Sequence, residues 1–234
     1  MVYECPDCKD LGCLRADRPL DHPDFGTLFP CHCQDRPADE RALARVVATS
    51  RLHPWELSVM LKALRDVGGD TAKMKEKARA FVADPYGWFT LWGSVGNGKT
   101  LTLQAMVNEL RTRWGMAGVY ITMKDLLDYL RAGFEDEGFT ERQRYEHLRT
   151  VPVLAIDEVD KVRLTAYATE FRTAFFDHRY RLAKAEEAVT LFAMNHPPWK
   201  LPSHLYDRMR DGRFQIVSNH DTSMRPVMER GVKI

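Results

Sequence analysis

Gly93-Ser94-Val95-Gly96-Asn97-Gly98-Lys99-Thr100 follows the apolar run Trp88-Phe89-Thr90-Leu91-Trp92 and opens a segment of helical periodicity. The spacing fits G-x-x-x-x-G-K-[ST], a phosphate-binding loop. Its glycines let successive backbone N–H groups turn inward around an anion, and a helix starting near Lys99 adds the positive end of its dipole. Lys99 supplies a charge for β- and γ-phosphates, and Thr100 a hydroxyl for Mg²⁺. Strand, glycine turn and helix in that order predict an α/β domain.

The chain alternates on both sides of this loop. Short apolar runs at 88–92, 118–123, 151–156, 188–193 and 214–218 are separated by helical segments, which predicts a five-stranded parallel sheet with crossover helices. The helix after the loop repeats Leu103, Met106, Val107, Leu110 and Trp114 at three- and four-residue spacing, and Gly115 ends it. Lys124 to Leu130 reads as a short helix. Gly133 to Leu148 reads as a charged excursion, in which Phe134, Arg142, Arg144 and Tyr145 offer charge and stacking surface for nucleic acid.

Two further strand ends carry chemistry. Val153-Leu154-Ala155-Ile156 is an apolar strand running into Asp157-Glu158. There Asp157 is suited to hold Mg²⁺, and Glu158 to accept a proton from an attacking water. Asp160 is read as a turn cap. The strand Val189 to Met194 ends at Asn195, whose amide can orient that water or contact a γ-phosphate; an asparagine there also suits a turn.

Ahead of the loop, the sequence from Ala38 to about Ala83 is charged and helical in period, and a helix from Thr71 to Val82 turns Met74, Ala78, Phe81 and Val82 toward the core. Asp84-Pro85 stops that helix. Leu52 to Leu57 is placed either to pack or to touch a nucleotide base. All five cysteines, Cys5, Cys8, Cys13, Cys31 and Cys33, lie in the first 33 residues. Four thiolates from Cys5, Cys8, Cys31 and Cys33 can surround Zn²⁺, with His22, His32 or Cys13 as substitute ligands. The expected organisation is a zinc-binding module over 1–37, a helical connector over 38–84 and the α/β domain over 85–234. A formal net charge of +1 sets up no global basic field, and no apolar run is long enough to span a bilayer. The expectation is a cytoplasmic protein with no membrane partner.

The phosphate loop, Ile156-Asp157-Glu158, Asn195, and the tail Tyr206-Asp207-Arg208-Met209-Arg210 with Asp221-Thr222-Ser223-Met224-Arg225 together resemble the AAA+ ATPases of the DnaC/DnaI helicase-loader class. The resemblance runs from about Lys73 to Arg225. It implies an AAA+ core without a C-terminal lid, ATP as the nucleotide, Gly93, Ser94, Val95, Gly96, Asn97, Gly98, Lys99, Thr100 and Leu101 as its contacts, and catalysis of ATP hydrolysis. By the same resemblance, Asn195 is the first sensor, Arg225 a second sensor within its own subunit, and Arg208 an arginine finger reaching a neighbour's site. The partners implied are a replicative ring helicase, single-stranded DNA, and other copies of the chain in an arc, spiral or ring. The IstB transposition helpers, which act on duplex DNA, share much of the pattern but usually lack such cysteines. A nucleotide-gated scaffold with little turnover is the third reading; Glu158 argues against it, because a scaffold needs no water-activating carboxylate.

Overall fold

The computed structural model describes residues 7, 13–15, 28–31, 55–65, 68–131, 141–162 and 166–224. Contacts divide the chain into two units, Met1–Ser50 and Arg51–Ile234. In the first, strand β1 (Cys13–Arg15) pairs antiparallel with β2 (Leu28–Pro30), with Cys13 opposite Pro30, and Cys31 directly after β2 is buried. Cys5, Cys8, His22, His32 and Cys33 lie outside the described residues.

The second unit runs α1 (Gly69–Ala83), β3 (Trp88–Gly93), α2 (Lys99–Trp114), β4 (Gly118–Thr122), α3 (Met123–Arg131), α4 (Glu141–Thr150), β5 (Val153–Asp157), α5 (Ala166–Lys184), β6 (Val189–Met194), α6 (Ser203–Met209) and β7 (Gln215–Asn219). The five apolar runs are the five strands, all parallel, in the order β4-β5-β6-β3-β7. Strands β5 and β6 are buried along their whole length, as strands covered on both faces must be. Along β3 the side chains alternate. Phe89 and Leu91 join Met74, Ala78, Phe81 and Val82 of α1 and Leu103, Met106, Val107 and Leu110 of α2 in one core. Trp88 faces the other way, with ring centroids 5.1 Å from Phe192, 5.8 Å from Phe214 and 6.2 Å from Phe176.

Three expectations change. Trp114, read as the last residue of the apolar stripe of α2, is 49% exposed, and its indole N–H donates to the Val82 carbonyl at 2.8 Å, so it seals the rim. The stretch before α1, where described, forms 3₁₀ turns at Glu56–Ser58 and Leu61–Ala63 with Val59 and Met60 extended around their junction. Side chains of α2 explain this: Asn108 donates to the Glu56 and Val59 carbonyls, Arg111 to the Leu57 carbonyl, and Glu109 accepts from Leu61 N–H, so these backbone groups are satisfied without a continuous helix. Glu56 and Leu57 therefore pack on α2. The charged excursion contains α4, whose Leu148 is buried; Arg144 is also buried, donating to the Tyr129 carbonyl at 3.1 Å and lying over the Tyr129 ring, while Tyr145 packs edge-on against Phe175. These two residues are thus part of the packing between α3, α4 and α5, not open surface for nucleic acid; Phe134 lies outside the described residues.

A fully buried arginine locks the junction of three elements. Arg179 of α5 donates Nε–H to Thr190 Oγ1 at 3.0 Å, one terminal nitrogen to the Val151 and Arg149 carbonyls at 2.5 and 3.3 Å, and the other to the Val189 carbonyl at 2.5 Å. Burial pulls its guanidinium down to about 9, so it remains charged at neutral pH. Arg179→Met keeps most of the volume but strands several buried acceptors, each at a cost of about 1–3 kcal/mol. The expected loss is roughly 3 kcal/mol or more, seen in urea as a lower midpoint at unchanged slope. A change below about 1 kcal/mol would show that the acceptors find other partners.

Candidate nucleotide-binding site

The phosphate loop is braced from β7, a feature that local spacing could not reveal. Gly93 has φ 130°, and a Cβ there would stand 2.0 Å from the Asn219 carbonyl oxygen; at Gly96, φ 78°, it would stand 2.0 Å from Ser223 Oγ. Only glycine fits either position. The same Asn219 carbonyl accepts from Ser94 N–H at 2.9 Å and from the Asn97 side-chain amide at 2.6 Å. Asn219 in turn donates its amide to the Asn97 carbonyl at 3.2 Å and to Thr71 Oγ1 at 3.1 Å, and both asparagines are completely buried. Beyond β7 the chain crosses the loop, Met224 N–H donating to the Gly96 carbonyl at 2.9 Å. Asp221 caps α1 by accepting from Thr71 N–H at 2.7 Å and Asp70 N–H at 3.2 Å. These bonds hold its carboxyl below the usual range, the Thr71 backbone bond most of all.

Lys99 opens α2 with Gly98 in the left-handed region at its N-cap. Its ammonium donates to the Ser94 carbonyl at 2.5 Å, the Gly93 carbonyl at 3.0 Å and Asn97 Oδ1 at 3.2 Å, so it bends back over the loop it serves. A phosphate seated in the loop offers that ammonium anionic oxygens in place of neutral carbonyls.

The two strand-end acids are held differently. Asp157 is buried; its Oδ2 accepts from Thr100 Oγ1 at 2.7 Å and from the Tyr120 hydroxyl at 2.9 Å, and its Oδ1 from Glu158 N–H at 2.7 Å. Burial first, and then the Asp157 charge, push the Tyr120 phenol far up, so it keeps its proton and donates. A hydroxyl and a carboxylate in contact, beside an anion-binding loop, form the oxygen donor set that a hard divalent cation requires, and thus fit Mg²⁺. Glu158 has φ 55°, a region uncommon for non-glycine residues, which swings its carboxylate out of line with β5. It meets Lys161 at 2.5 Å on the surface.

Asn195 follows β6, and β6 pairs with β5, so it stands at the same end of the sheet as Asp157 and Glu158. Arg208, at the end of α6, contacts α5 and its own helix: 2.7 Å to Asp177 Oδ1, 2.9 Å to the His204 carbonyl, and over the Tyr180 ring. It borders an open cleft of about 850 Å³ lined also by Tyr180, His204, Asp207, Arg210 and Asp211. Thus Lys99, Thr100, Asp157, Glu158 and Asn195 gather at one end of the sheet, and Arg208 is held on α5. Arg225 lies outside the described residues. Among the described residues no cluster of three or more metal-ligating side chains occurs, and no helix is long and apolar enough to cross a membrane.

Known proteins place this architecture. The chain is 28% identical over 150 residues to the replicative helicase loader DnaC of Escherichia coli strain K12, an alignment covering 62% of this chain and 61% of the relative. It therefore spans about three fifths of the length of that curated relative. Among solved structures, a DnaC helicase loader matches with a TM-score of 0.61 at 16% identity, covering 71% of this chain and 99% of that one. AMPPCP-bound DnaA from Aquifex aeolicus matches with a TM-score of 0.61 at 22% identity, covering 77% of this chain and 56% of that one. At such identities the structural matches speak for the fold. The profile of the ATPase family associated with various cellular activities (AAA) matches residues 89–219, which takes in nearly all of the sheet from β3 to β7 with its phosphate loop and strand-end acids. Sequence and architecture agree over more than half of the chain, and the chain belongs to that AAA family.

Proposed function

We propose that this protein is an ATP-dependent loader that places a replicative ring helicase on single-stranded DNA. The observation that carries the reading is the 150-residue similarity to a replicative helicase loader, supported by a phosphate loop with Thr100 and Asp157 in contact beside it. In this reading Gly93 to Leu101 hold the phosphates, and Lys99 leaves its loop carbonyls for the β/γ-phosphates. Thr100 and Asp157 would hold Mg²⁺, which would supply charge neutralisation on the phosphoryl oxygens. Glu158 leaves Lys161 and accepts the proton of the attacking water, which Asn195 orients. Arg208 leaves Asp177 to enter the site of the next subunit, so that ATP joins subunits into an arc or spiral and hydrolysis releases them. Arg225 acts as the second sensor within its own subunit.

The test is co-purification with a replicative ring helicase, with and without ATP. Retention that depends on ATP and is lost in Lys99→Ala supports the loader; binding to duplex DNA and a transposase instead would transfer the reading to a transposition ATPase.

Cys5, Cys8, Cys31 and Cys33 are proposed to hold one Zn²⁺. The pairing of Cys13 with Pro30 sets Cys31, the residue after β2, close to the start of β1, and the paired spacing of the cysteines in the sequence supports the reading. Reduced protein is expected to carry one equivalent of zinc, measured by elemental analysis. Chelation is expected to unfold the first unit and leave urea unfolding of the second unchanged. Undamaged protein without stoichiometric metal would contradict the assignment.

A further inference from the structure

Asp160 lies two residues beyond Glu158, and its carboxylate is only 6% exposed. One oxygen, Oδ2, accepts from three donors of the segment after β6: Asn195 N–H at 3.1 Å, His196 N–H at 2.8 Å and His196 Nδ1 at 2.6 Å. The other, Oδ1, is buried and has no hydrogen-bond partner among the described residues. Burial alone would push this carboxyl up; the bonds from His196 and Asn195 outweigh it and hold the group below its usual range, hence ionised at neutral pH. A buried carboxylate with one idle oxygen is an expensive way to close a turn. Local turn caps reach residues two or three positions away, whereas this one reaches 35 and 36 positions along the chain.

What these bonds do is join two loops. Val159 N–H donates to the Ala193 carbonyl at 3.2 Å, extending the β5 and β6 pairing past the end of β5. Asp160 carries the join one step further, to the backbone of Asn195 itself. The chain that presents Glu158 and the chain that presents Asn195 are thus tied together by hydrogen bonds to the backbone. His196 is 62% exposed on its side chain, so its ring bond adds little to that tie beside the two backbone bonds.

We infer that Asp160 is a positioning residue for ATP hydrolysis, fixing Asn195 against Glu158 through the Asn195 and His196 backbone N–H groups. The inference rests on the proposed ATPase reading, in which these two side chains share one water. Misplacement by about 1 Å can cost 10²-fold in rate, so Asp160→Ala is expected to lower turnover roughly 10- to 100-fold while affinity for a non-hydrolysable ATP analogue stays within about twofold. Asp160→Asn keeps an oxygen for the backbone donors and should recover much of the loss. His196→Ala should stay near wild type.

Two readouts decide the matter. In nucleotide-free protein, amide hydrogen exchange at Asn195 and His196 should be slow in wild type and His196→Ala, and fast in Asp160→Ala. In a double-mutant cycle, Asp160→Ala should have almost no further effect on turnover once Asn195→Ala is present, because it acts through that residue. Full additivity of the two losses, or unchanged exchange at both amides, would overturn the inference. A wild-type protein that does not hydrolyse ATP would overturn the functional reading instead, and the exchange measurement would still decide whether Asp160 fixes the Asn195 backbone.

Discussion

Arg208→Ala is expected to lower ATP turnover by roughly 10³-fold or more while leaving the ATP affinity of the isolated subunit nearly unchanged. Within its own subunit Arg208 touches Asp177, the His204 carbonyl and the Tyr180 ring, none of them part of the phosphate loop, so the monomer loses no phosphate contact on truncation. Its planar, permanently charged fork suits charge spread over equatorial phosphoryl oxygens, and the assembly is where that charge is met. Loss of the Asp177 pair should cost the fold no more than about 1 kcal/mol, since both side chains are partly exposed, so unfolding would not account for a thousandfold effect. ATP-dependent self-association should weaken in parallel. Mixing supplies the control: Arg208→Ala keeps a sound ATP site, Lys99→Ala keeps a sound finger, and the two inactive proteins together should regain activity at the interfaces that join them. Arg225→Ala mixed with Arg208→Ala should regain activity by the same logic if Arg225 acts within its own subunit. Failure of that second mixture beside a working first one would place Arg225 on the same side of the interface as Arg208. Loss of nucleotide binding by monomeric Arg208→Ala would contradict the finger assignment, and Arg210 would be the next candidate.

Glu158→Gln should separate binding from chemistry. The amide keeps the shape of the side chain and leaves Asp157, Thr100 and Lys99 in place, but it cannot accept the proton of the attacking water. Turnover is expected to fall roughly 10²- to 10⁴-fold with ATP still bound. Lys99→Ala should fail earlier, at binding, by loss of a charge-assisted phosphate contact. Lys161→Ala should not mimic Glu158→Gln, because it frees the carboxylate from its 2.5 Å surface partner without removing it. Normal hydrolysis by Glu158→Gln, followed as phosphate release, would show that another group takes the proton.

The parts of the site that were legible in sequence are those whose chemistry demands fixed local spacing. A phosphate loop needs its glycines and lysine within eight residues, and a carboxylate pair at the end of an apolar strand announces itself; Thr100 and Asp157, read separately as cation ligands, meet at 2.7 Å. The sheet was legible because parallel strands covered on both faces must be continuous apolar runs. What stayed hidden depends on partners far apart in the chain. Asn219 and Asn97 are separated by 122 positions, and Asp221 caps a helix 150 positions away; each is an ordinary polar residue until the fold brings its partner. Asp160 reads as a turn residue for the same reason. Arg179 offered no signal, since arginine is rarely fully buried and its acceptors are backbone carbonyls that any sequence supplies. Arg144 and Tyr145 misled in the opposite sense: a polar stretch suggested open surface, while cation–π and edge-on ring contacts took both into the packing of α4.

In the proposed function, ATP bound at the phosphate loop controls placement of a ring helicase on DNA. The direct measurement is transfer of a purified replicative helicase onto a closed single-stranded DNA circle, counted as helicase retained on the circle after removal of free protein. Wild-type protein with ATP is expected to load the helicase well above the level the helicase reaches alone, Lys99→Ala is expected to give no such gain, and Arg208→Ala to give little. Loading by Lys99→Ala equal to wild type, or no gain from wild-type protein with ATP over the helicase alone, would contradict ATP-controlled loading.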